Sequence, residues 1–331
     1  MSKKTEHFIK EIEIKNFKCF ENFKAEGFGK VNLIGGKNNV GKTAFMEACR
    51  TNIYANNVGH FIVALVKNKN SRETLNYYNE YTQNSTISFL DRFIKIPLST
   101  IKYVNIKSNI RETIFTPLDK DGIITYQCEI DNKEFFYNPN ENMLIPQGND
   151  NISLITTYGL SNSDIVQRYA SLQKADKENY LNDSLSVIDI SISGFKIIED
   201  KPYCKLGNQY IELTELGDGT QQFIAIILSL FQSQDGTLFI DEIGNGIHYT
   251  NLDKLWEIIL TISKEQNVQV FATTHSKECI ESYARVAKKL EDEEITFIKM
   301  TRLDDGSIIA GVRDYDMLQY TMSDGHEVRG V

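Results

Sequence analysis

Gly36-Lys37-Asn38-Asn39-Val40-Gly41-Lys42-Thr43 decides the fold of this chain. The stretch fits the pattern GxxxxGK(S/T) without a mismatch, and an apolar strand, Val31-Asn32-Leu33-Ile34, runs into it through Gly35. A helix is expected behind it, from Thr43 to about Ala55. Glycines let such a loop wrap so that successive backbone N–H groups point inward at an anion. The N-terminus of the following helix adds partial positive charge. The spacing predicts a phosphate cradle built from Gly36, Asn38, Asn39, Val40, Gly41, Lys42, Thr43 and Ala44. Lys42 would reach the β- and γ-phosphates of a nucleotide, and the Thr43 hydroxyl would hold Mg²⁺. Asn39 is expected in the left-handed region, which Asn tolerates better than most residues.

About two hundred residues later Thr237-Leu238-Phe239-Ile240 forms a short apolar run closed by Asp241-Glu242. A buried strand presents its carboxyl end to the ligand crevice of an open α/β sheet. Asp241 is placed there to help hold the hydrated Mg²⁺, and Glu242 to orient or deprotonate an attacking water. The bland alternative is a strand leaving the core into a solvated turn. The next strand ends in Phe271-Ala272-Thr273-Thr274-His275-Ser276, which puts His275 at the same crevice as a contact for the γ-phosphate or the water. Leu216-Gly217-Asp218-Gly219-Thr220-Gln221-Gln222 precedes a helix and makes a second anion-ready turn; the alternative is a helix start with Asp218 as its cap.

Composition bounds the rest. The 331 residues are 41% hydrophobic and 24% charged, as expected of a folded globular chain of one large domain or two intimate lobes. The longest apolar runs, such as Phe223–Leu230, fall far short of the ~20 residues a membrane span needs, so no membrane role is expected. MSKKTEHFIK has no apolar stretch behind its charges, so no secretory signal is expected. Cys19, Cys49, Cys128, Cys204 and Cys279 are scattered with no CxxC pair, which excludes a zinc ribbon and suits a reducing, cytoplasmic compartment. The net charge of −9 argues against sequence-independent nucleic-acid binding, which draws on Lys and Arg against phosphate.

Periodicity gives the outline. Ile9–Phe17 alternates as a strand with Ile12 and Ile14 on its buried face. Ile101–Ile106, Ile110–Phe115, Ile123–Ile130 and Glu134–Tyr137 read as antiparallel strands with turns at Asp121-Gly122 and Asp131-Asn132. Asn138–Asn151 reads as a loop or lobe boundary, and Ser163–Val187 as two short helices without sustained heptads. From Glu215 helices alternate with strands: Thr220–Gln232, Thr237–Ile240, Asn251–Lys264, Val268–Thr273, Lys277–Lys289, Glu294–Met300 and Ile308–Val312. That alternation predicts an α/β sheet with parallel strands. Asp304-Asp305 reads as part of a hairpin turn, Asp314-Tyr315-Asp316 as a capped helix start, and Tyr320–Gly330 as a tail that could serve as an interaction surface.

Taken together, these segments resemble ABC-type ATPase heads of the SMC/RecF/OLD branch, and within it small stand-alone AAA-type ATP-binding proteins. The resemblance covers about residues 8–55 and 210–315. It rests on Ile12–Phe20, the GKNNVGKT Walker A loop, the LGDGTQQ signature-like turn, the LFIDE Walker B strand, Ile243–His248 in the D-loop position, and ATTHS as the switch-histidine segment. It implies a P-loop NTPase fold: a two-lobe ABC/SMC-head-like sheet with an antiparallel β subdomain and a helical insertion. The lobes would run about 1–140 and 205–331, the insertion about 160–190. It also implies ATP and Mg²⁺ as ligands, Glu242 as general base and His275 as γ-phosphate sensor. Two copies would pair head to tail as a homodimer, or within a higher homo-oligomer, the turn Gly217-Asp218-Gly219 of one meeting the nucleotide of the other. Gly217 stands where the wider class carries Ser, so only backbone donors remain there. Gln83 and Gln127 are the candidates for the glutamine of the Q-loop. With the chain ending at Val331, no Toprim nuclease domain is expected, and a separate effector, a nuclease or toxin, would bring such chemistry.

Three functions compete. One is an ATP hydrolase whose dimerisation gates a partner effector, in DNA maintenance or phage defence. The second is a scaffold that binds nucleotide without turning it over. The third is an SMC-like DNA-binding head, disfavoured by the net charge and the lack of a coiled coil. A GTPase is disfavoured because Asn132-Lys133-Glu134-Phe135 fails the NKxD base-recognition pattern.

Overall fold

The structure, a computed structural model, describes residues 8–57, 59–61, 64, 103–120, 123–137 and 151–323. The chain opens with the hairpin β1 (Glu11–Phe17) and β2 (Phe20–Glu26), followed by β3 (Val31–Gly35) and α1 (Lys42–Tyr54). Four strands follow: β4 (Val104–Ser108), β5 (Glu112–Lys120), β6 (Ile123–Ile130) and β7 (Lys133–Tyr137). Next come β8 (Ile152–Ile155), α2 (Asn162–Lys174), α3 (Glu178–Ile188), β9 (Ile192–Ile198), β10 (Lys201–Leu206) and β11 (Gln209–Glu212). The last part holds α4 (Asp218–Gln232), β12 (Thr237–Ile240), α5 (Leu252–Glu265), β13 (Gln269–Thr274), α6 (Lys277–Lys289), β14 (Ile295–Arg302), β15 (Ile308–Arg313) and α7 (Tyr315–Ser323).

The central six-stranded sheet has the order β15-β14-β3-β13-β12-β8, with only β15 antiparallel. β3, β12 and β13 are buried along their whole length, as strands covered on both faces must be. A second six-stranded sheet, β2-β1-β4-β5-β6-β7, is antiparallel throughout. β1 shows why: Ile12 and Ile14 are buried while Glu11 is exposed and Glu13 and Lys15 are half-buried, the period-two pattern of a sheet with one covered face. β9, β10 and β11 make a small antiparallel sheet.

Two cores flank the central sheet. Phe45, Phe28, Phe239 and Phe271 belong to the core shared by α1 and the antiparallel sheet, with the rings of Phe239 and Phe271 stacked at 5.5 Å. Trp256, Tyr283, Ile259, Leu228 and Leu185 belong to the core under the helices on the other face. Burying one such aliphatic side chain is worth about 1.5–3 kcal/mol, so these two layers fix the sheet that carries the site. No helix among the described residues is long and apolar enough to cross a membrane.

Several expectations are refined. Phe20–Glu26 is a strand of its own, so the start of the chain is a hairpin rather than a strand and turn. Ile152–Ile155 joins the central sheet, and Ile192–Glu212 holds three strands that the periodicity does not announce. Asp218 is the first residue of α4 and Gly217 its cap, so the reading of Asp218 as cap is corrected. Gly217 has no side chain to cap with, and its carbonyl accepts from Thr220 N at 3.0 Å. Tyr320–Ser323 is the end of α7, not a tail, because Leu318 and Thr321 are buried on that helix and Gln319 Nε2 donates to Ala284 O at 2.8 Å. The helix does start at a cap, with Met317 N donating to Asp314 Oδ1 at 3.0 Å. The Asp121-Gly122 turn, most of the loop after Tyr137, Gln83 and Gly330 lie outside the described residues.

Candidate active site

Four neighbouring parallel strands, β3, β13, β12 and β8, end on one edge of the central sheet. Their registers place Gly35 beside Thr274, Ile240 beside Ala272, and Ile240 beside Ile155. The residue after each end is therefore delivered to one crevice: Gly36 from β3, His275 from β13, Asp241 from β12, and Thr156-Thr157 from β8. Carboxyl ends of parallel strands are where open α/β sheets bind ligands.

The loop Gly36–Gly41 is held by its surroundings. A Cβ on Gly36 would stand 2.6 Å from the Met300 carbonyl oxygen, and one on Gly41 2.8 Å from Cys19 Sγ. Gly41 caps α1 at φ 89°, and Asn39 sits at φ 64°, in the left-handed region the sequence predicts. Arg302 donates from Nη2 to the Asn39 carbonyl at 3.1 Å and ties the loop to the β14–β15 hairpin. Val40 and Ala44 are buried beneath the loop, whereas Asn38 is exposed at its crest. Lys42 is 7% exposed and donates to the carbonyls of Gly36 and Lys37, both at 3.1 Å. Burial pulls the Lys42 ammonium below the usual lysine range, opposed by the nearby Glu242 and Asp241 carboxylates.

Asp241 gathers hydroxyls. Thr43 Oγ1 is 3.3 Å from both of its carboxylate oxygens, Thr157 Oγ1 is 3.2 Å from Oδ2, and Thr273 Oγ1 donates to Oδ1 at 2.7 Å. The donors are all oxygens, which suits Mg²⁺, an ion that takes one or two protein ligands and completes its shell with phosphate oxygens and water. Among the described residues no cluster of three or more His, Cys, Asp or Glu forms a self-sufficient metal centre. The set around Thr43 and Asp241 fits a metal that arrives with a phosphate.

Glu242 follows with its backbone at φ 53°, an uncommon conformation for a non-glycine residue. Thr273 stabilises it: Glu242 N donates to Thr273 Oγ1 at 2.8 Å and Ile243 N to Thr273 O at 2.9 Å. This turn swings the Glu242 side chain toward His275 and Lys42. His275 Nδ1 lies 2.8 Å from Glu242 Oε2, and Lys42 Nζ lies 3.9 Å from Oε1. The carboxylate thus stands between the P-loop lysine and the exposed imidazole.

The structure brings Lys42, Thr43, Asp241, Glu242 and His275 together. The turn Gly217-Asp218-Gly219 packs instead on the segment after Glu242: a Cβ on Gly219 would meet the Gly246 carbonyl oxygen at 2.8 Å, and one on Gly217 would meet nothing within 4 Å. Gln127 lies on β6 and hydrogen-bonds Glu134, away from the crevice. Thr273 and Thr157 are site residues that sequence reasoning missed. Thr273 lies inside the quoted ATTHS segment, where nothing local marks a buried threonine as a site residue. Thr157 follows β8, a strand with no periodic signature.

The fold has counterparts among solved structures. Two solved structures cover nearly all of the chain. A crystal structure titled SmcHead bound to the C-winged helix domain of ScpA matches at 12% identity and a TM-score of 0.53, covering 93% of this chain and 99% of that one. An Smc head domain with an extended coiled coil, bound to the C-terminal domain of ScpA derived from Pyrococcus furiosus, matches at 11% identity and a TM-score of 0.50, covering 96% and 99%. The fold is that of an SMC head. It is a P-loop NTPase-like arrangement of mixed α/β structure with additional antiparallel sheets, as the sequence motifs predict. A family model described as "AAA domain, putative AbiEii toxin, Type IV TA system" matches residues 133–281, a stretch that holds Asp241, Glu242 and His275. A protein of Helicobacter pylori named ATP/GTP phosphatase is 24% identical over 359 residues, covering 94% of this chain and 97% of that protein.

Proposed function

We propose that this chain is an ATP hydrolase whose catalytic base is Glu242. The observation that carries this reading is the placement of Glu242 between His275 at 2.8 Å and Lys42 at 3.9 Å, beside the Thr43–Asp241 pair. The ATP/GTP phosphatase of Helicobacter pylori, similar along almost the whole chain, supports hydrolysis of a nucleotide.

In this reading the backbone N–H groups of residues 38–44 hold the β- and γ-phosphates, and Lys42 leaves its own loop carbonyls for them. Thr43 and Asp241, with Thr157 beside them, would hold Mg²⁺, which would supply charge neutralisation at the phosphate oxygens. Glu242 accepts the proton of the attacking water, and His275 orients that water or the γ-phosphate. Thr273 holds Asp241 and the Glu242 backbone in register. Most of the acceleration comes from preorganised charge, as in phosphoryl transfer generally.

The exposed turn Gly217-Asp218-Gly219 completes the site of a second copy. Two chains pair head to tail around two nucleotides as a homodimer, or as part of a higher oligomer, and hydrolysis releases them. One chain then divides as the sequence suggests, into a lobe of about residues 1–140, a helical insertion of about 160–190 and a lobe of about 205–331. Pairing signals to a separate effector in the cytoplasm, a nuclease or toxin engaged in phage defence or DNA maintenance. The SMC heads bound to ScpA domains support a partner protein on this fold.

The test is the solution mass of a Glu242→Gln chain by light scattering with and without Mg·ATP. Doubling with Mg·ATP supports the paired site; a monomer under both conditions contradicts it. Parallel assays of phosphate release from ATP and GTP by the unaltered chain decide the base preference.

A further inference from the structure

Thr43, Glu47 and Arg50 recur at i, i+4 and i+7 along α1, so they share one face of that helix. Glu47 and Arg50 are only 5% and 6% exposed. Burying charge costs several kcal/mol per ion unless partners offset it. Lys18, from the β1–β2 turn, pairs with Glu47, and the Arg50 guanidinium lies 5.6 Å from the Tyr54 ring centre. The same helix face borders a cavity of about 60 Å³, lined jointly by Thr43, Glu47, Arg50, Thr156, Thr157 and Asp241. Its walls combine these hydrogen-bonding and charged groups with the apolar side chains of Met46, Leu154 and Phe239. Roughly 10–15 Å³ of such space suffices for one water, so the cavity has room for a small polar water cluster. It runs from the oxygen set around Asp241 to a buried carboxylate one helical turn away.

We propose that Glu47 is a positioning residue for the hydration shell of the divalent cation. This rests on the nucleotide-site reading above. Its carboxylate accepts hydrogen bonds from metal-bound waters that occupy the cavity, while Lys18 and Arg50 balance its charge. The chemistry favours this role. Mg²⁺ dehydrates reluctantly and keeps several waters, which then need acceptors on the side away from the phosphates. Thr156 and Thr157 supply hydroxyls to the same cluster, but among the described residues Glu47 is the one carboxylate besides Asp241 on its wall.

The ion pair with Lys18 offers a competing role, in which Glu47 only anchors the β1–β2 turn to α1. A Mg²⁺ titration of fluorescent ATP-analogue binding separates the two, using the unaltered full chain, E47Q and K18M. The proposal predicts that E47Q raises the Mg²⁺ half-saturation concentration by about 10-fold, as loss of an outer-shell partner does, while metal-free binding of the analogue is unchanged. K18M lowers the melting temperature but keeps the Mg²⁺ dependence of the unaltered chain. An unchanged half-saturation in folded E47Q overturns the proposal, and so does a K18M shift as large as that of E47Q. If E47Q does not fold, E47D keeps the charge but shortens its reach, and it must raise the Mg²⁺ half-saturation as well; an unchanged value overturns the proposal. An unaltered chain that binds no analogue at any Mg²⁺ concentration overturns the nucleotide-site reading and this inference together.

Discussion

His275 Nδ1 and Glu242 Oε2 stand 2.8 Å apart at the ends of adjacent parallel strands, β13 and β12. The contact spans residues far apart in sequence and depends on the left-handed backbone of Glu242, at φ 53°, which the Thr273 hydroxyl and carbonyl hold. His275 itself is exposed, so its place is set by the strand end and by Ser276, whose hydroxyl caps α6 through Cys279 N at 3.1 Å. An imidazole held by one carboxylate and otherwise open to the crevice is suited to meeting a ligand rather than to supporting the core.

His275→Ala is therefore expected to cut turnover without unfolding the protein. A positioned proton-transfer or orienting group typically contributes about 10²–10⁴-fold. We expect a fall toward the lower end of that range in kcat, with nucleotide affinity and melting temperature near those of the unaltered chain. Steady-state kinetics with a thermal melt checks it. A large loss of melting temperature would mark His275 as structural.

Lys42 gives a prediction with a sign. Burial lowers its pKa, so the unfolded chain binds the Lys42 proton more tightly than the folded chain does. Its charge thus costs the fold stability below the folded-state pKa, and the cost fades as pH rises toward the unfolded value of about 10.4. Lys42→Met should raise the melting temperature of the nucleotide-free protein at neutral pH, on the order of 1–2 °C for a chain this large. The gain should shrink above pH 10, and stabilisation by added nucleotide should vanish. Differential scanning fluorimetry across pH reads all three. A lower melting temperature at neutral pH would mean that the bonds to Gly36 O and Lys37 O outweigh the burial.

The thiols divide sharply. Cys19 is exposed, whereas Cys49, Cys128, Cys204 and Cys279 are buried. Burial pushes the last three thiols up to about 12 and Cys49 higher still, leaving little nucleophilic thiolate. Brief treatment of the native protein with iodoacetamide should add one label, at Cys19, by mass spectrometry. Because Cys19 Sγ lies against Gly41, bound nucleotide should slow the labelling. Rapid labelling at several cysteines would contradict the packing of both cores.

What could be read in advance follows how local each feature is. The phosphate loop is set by Gly36, Asn39 and Gly41 with their own dihedrals, so its motif announces itself. Lys277–Lys289 was legible to the residue because Ser276 caps it and Lys288 and Lys289 end it. β8 was not legible: it is four residues long, and its place is fixed only by pairing with β12, more than eighty residues away. Thr157 was lost with it. Thr273 was in view, but a buried threonine in a strand has no local mark; its role appears only when β12 sets Asp241 beside it. β9 and β10 were hidden by Gly194 and Pro202 inside the strands and by a turn through Glu199 and Asp200, both at positive φ.

In the proposed reaction Glu242 takes the proton of the attacking water. The most direct measurement is phosphate release from Mg·ATP by the unaltered chain and by Glu242→Gln under identical conditions, with ATP binding measured on both. The substitution is expected to keep ATP binding and to cut release by at least about 100-fold, the loss expected for a general base. Equal rates from the two proteins would contradict it.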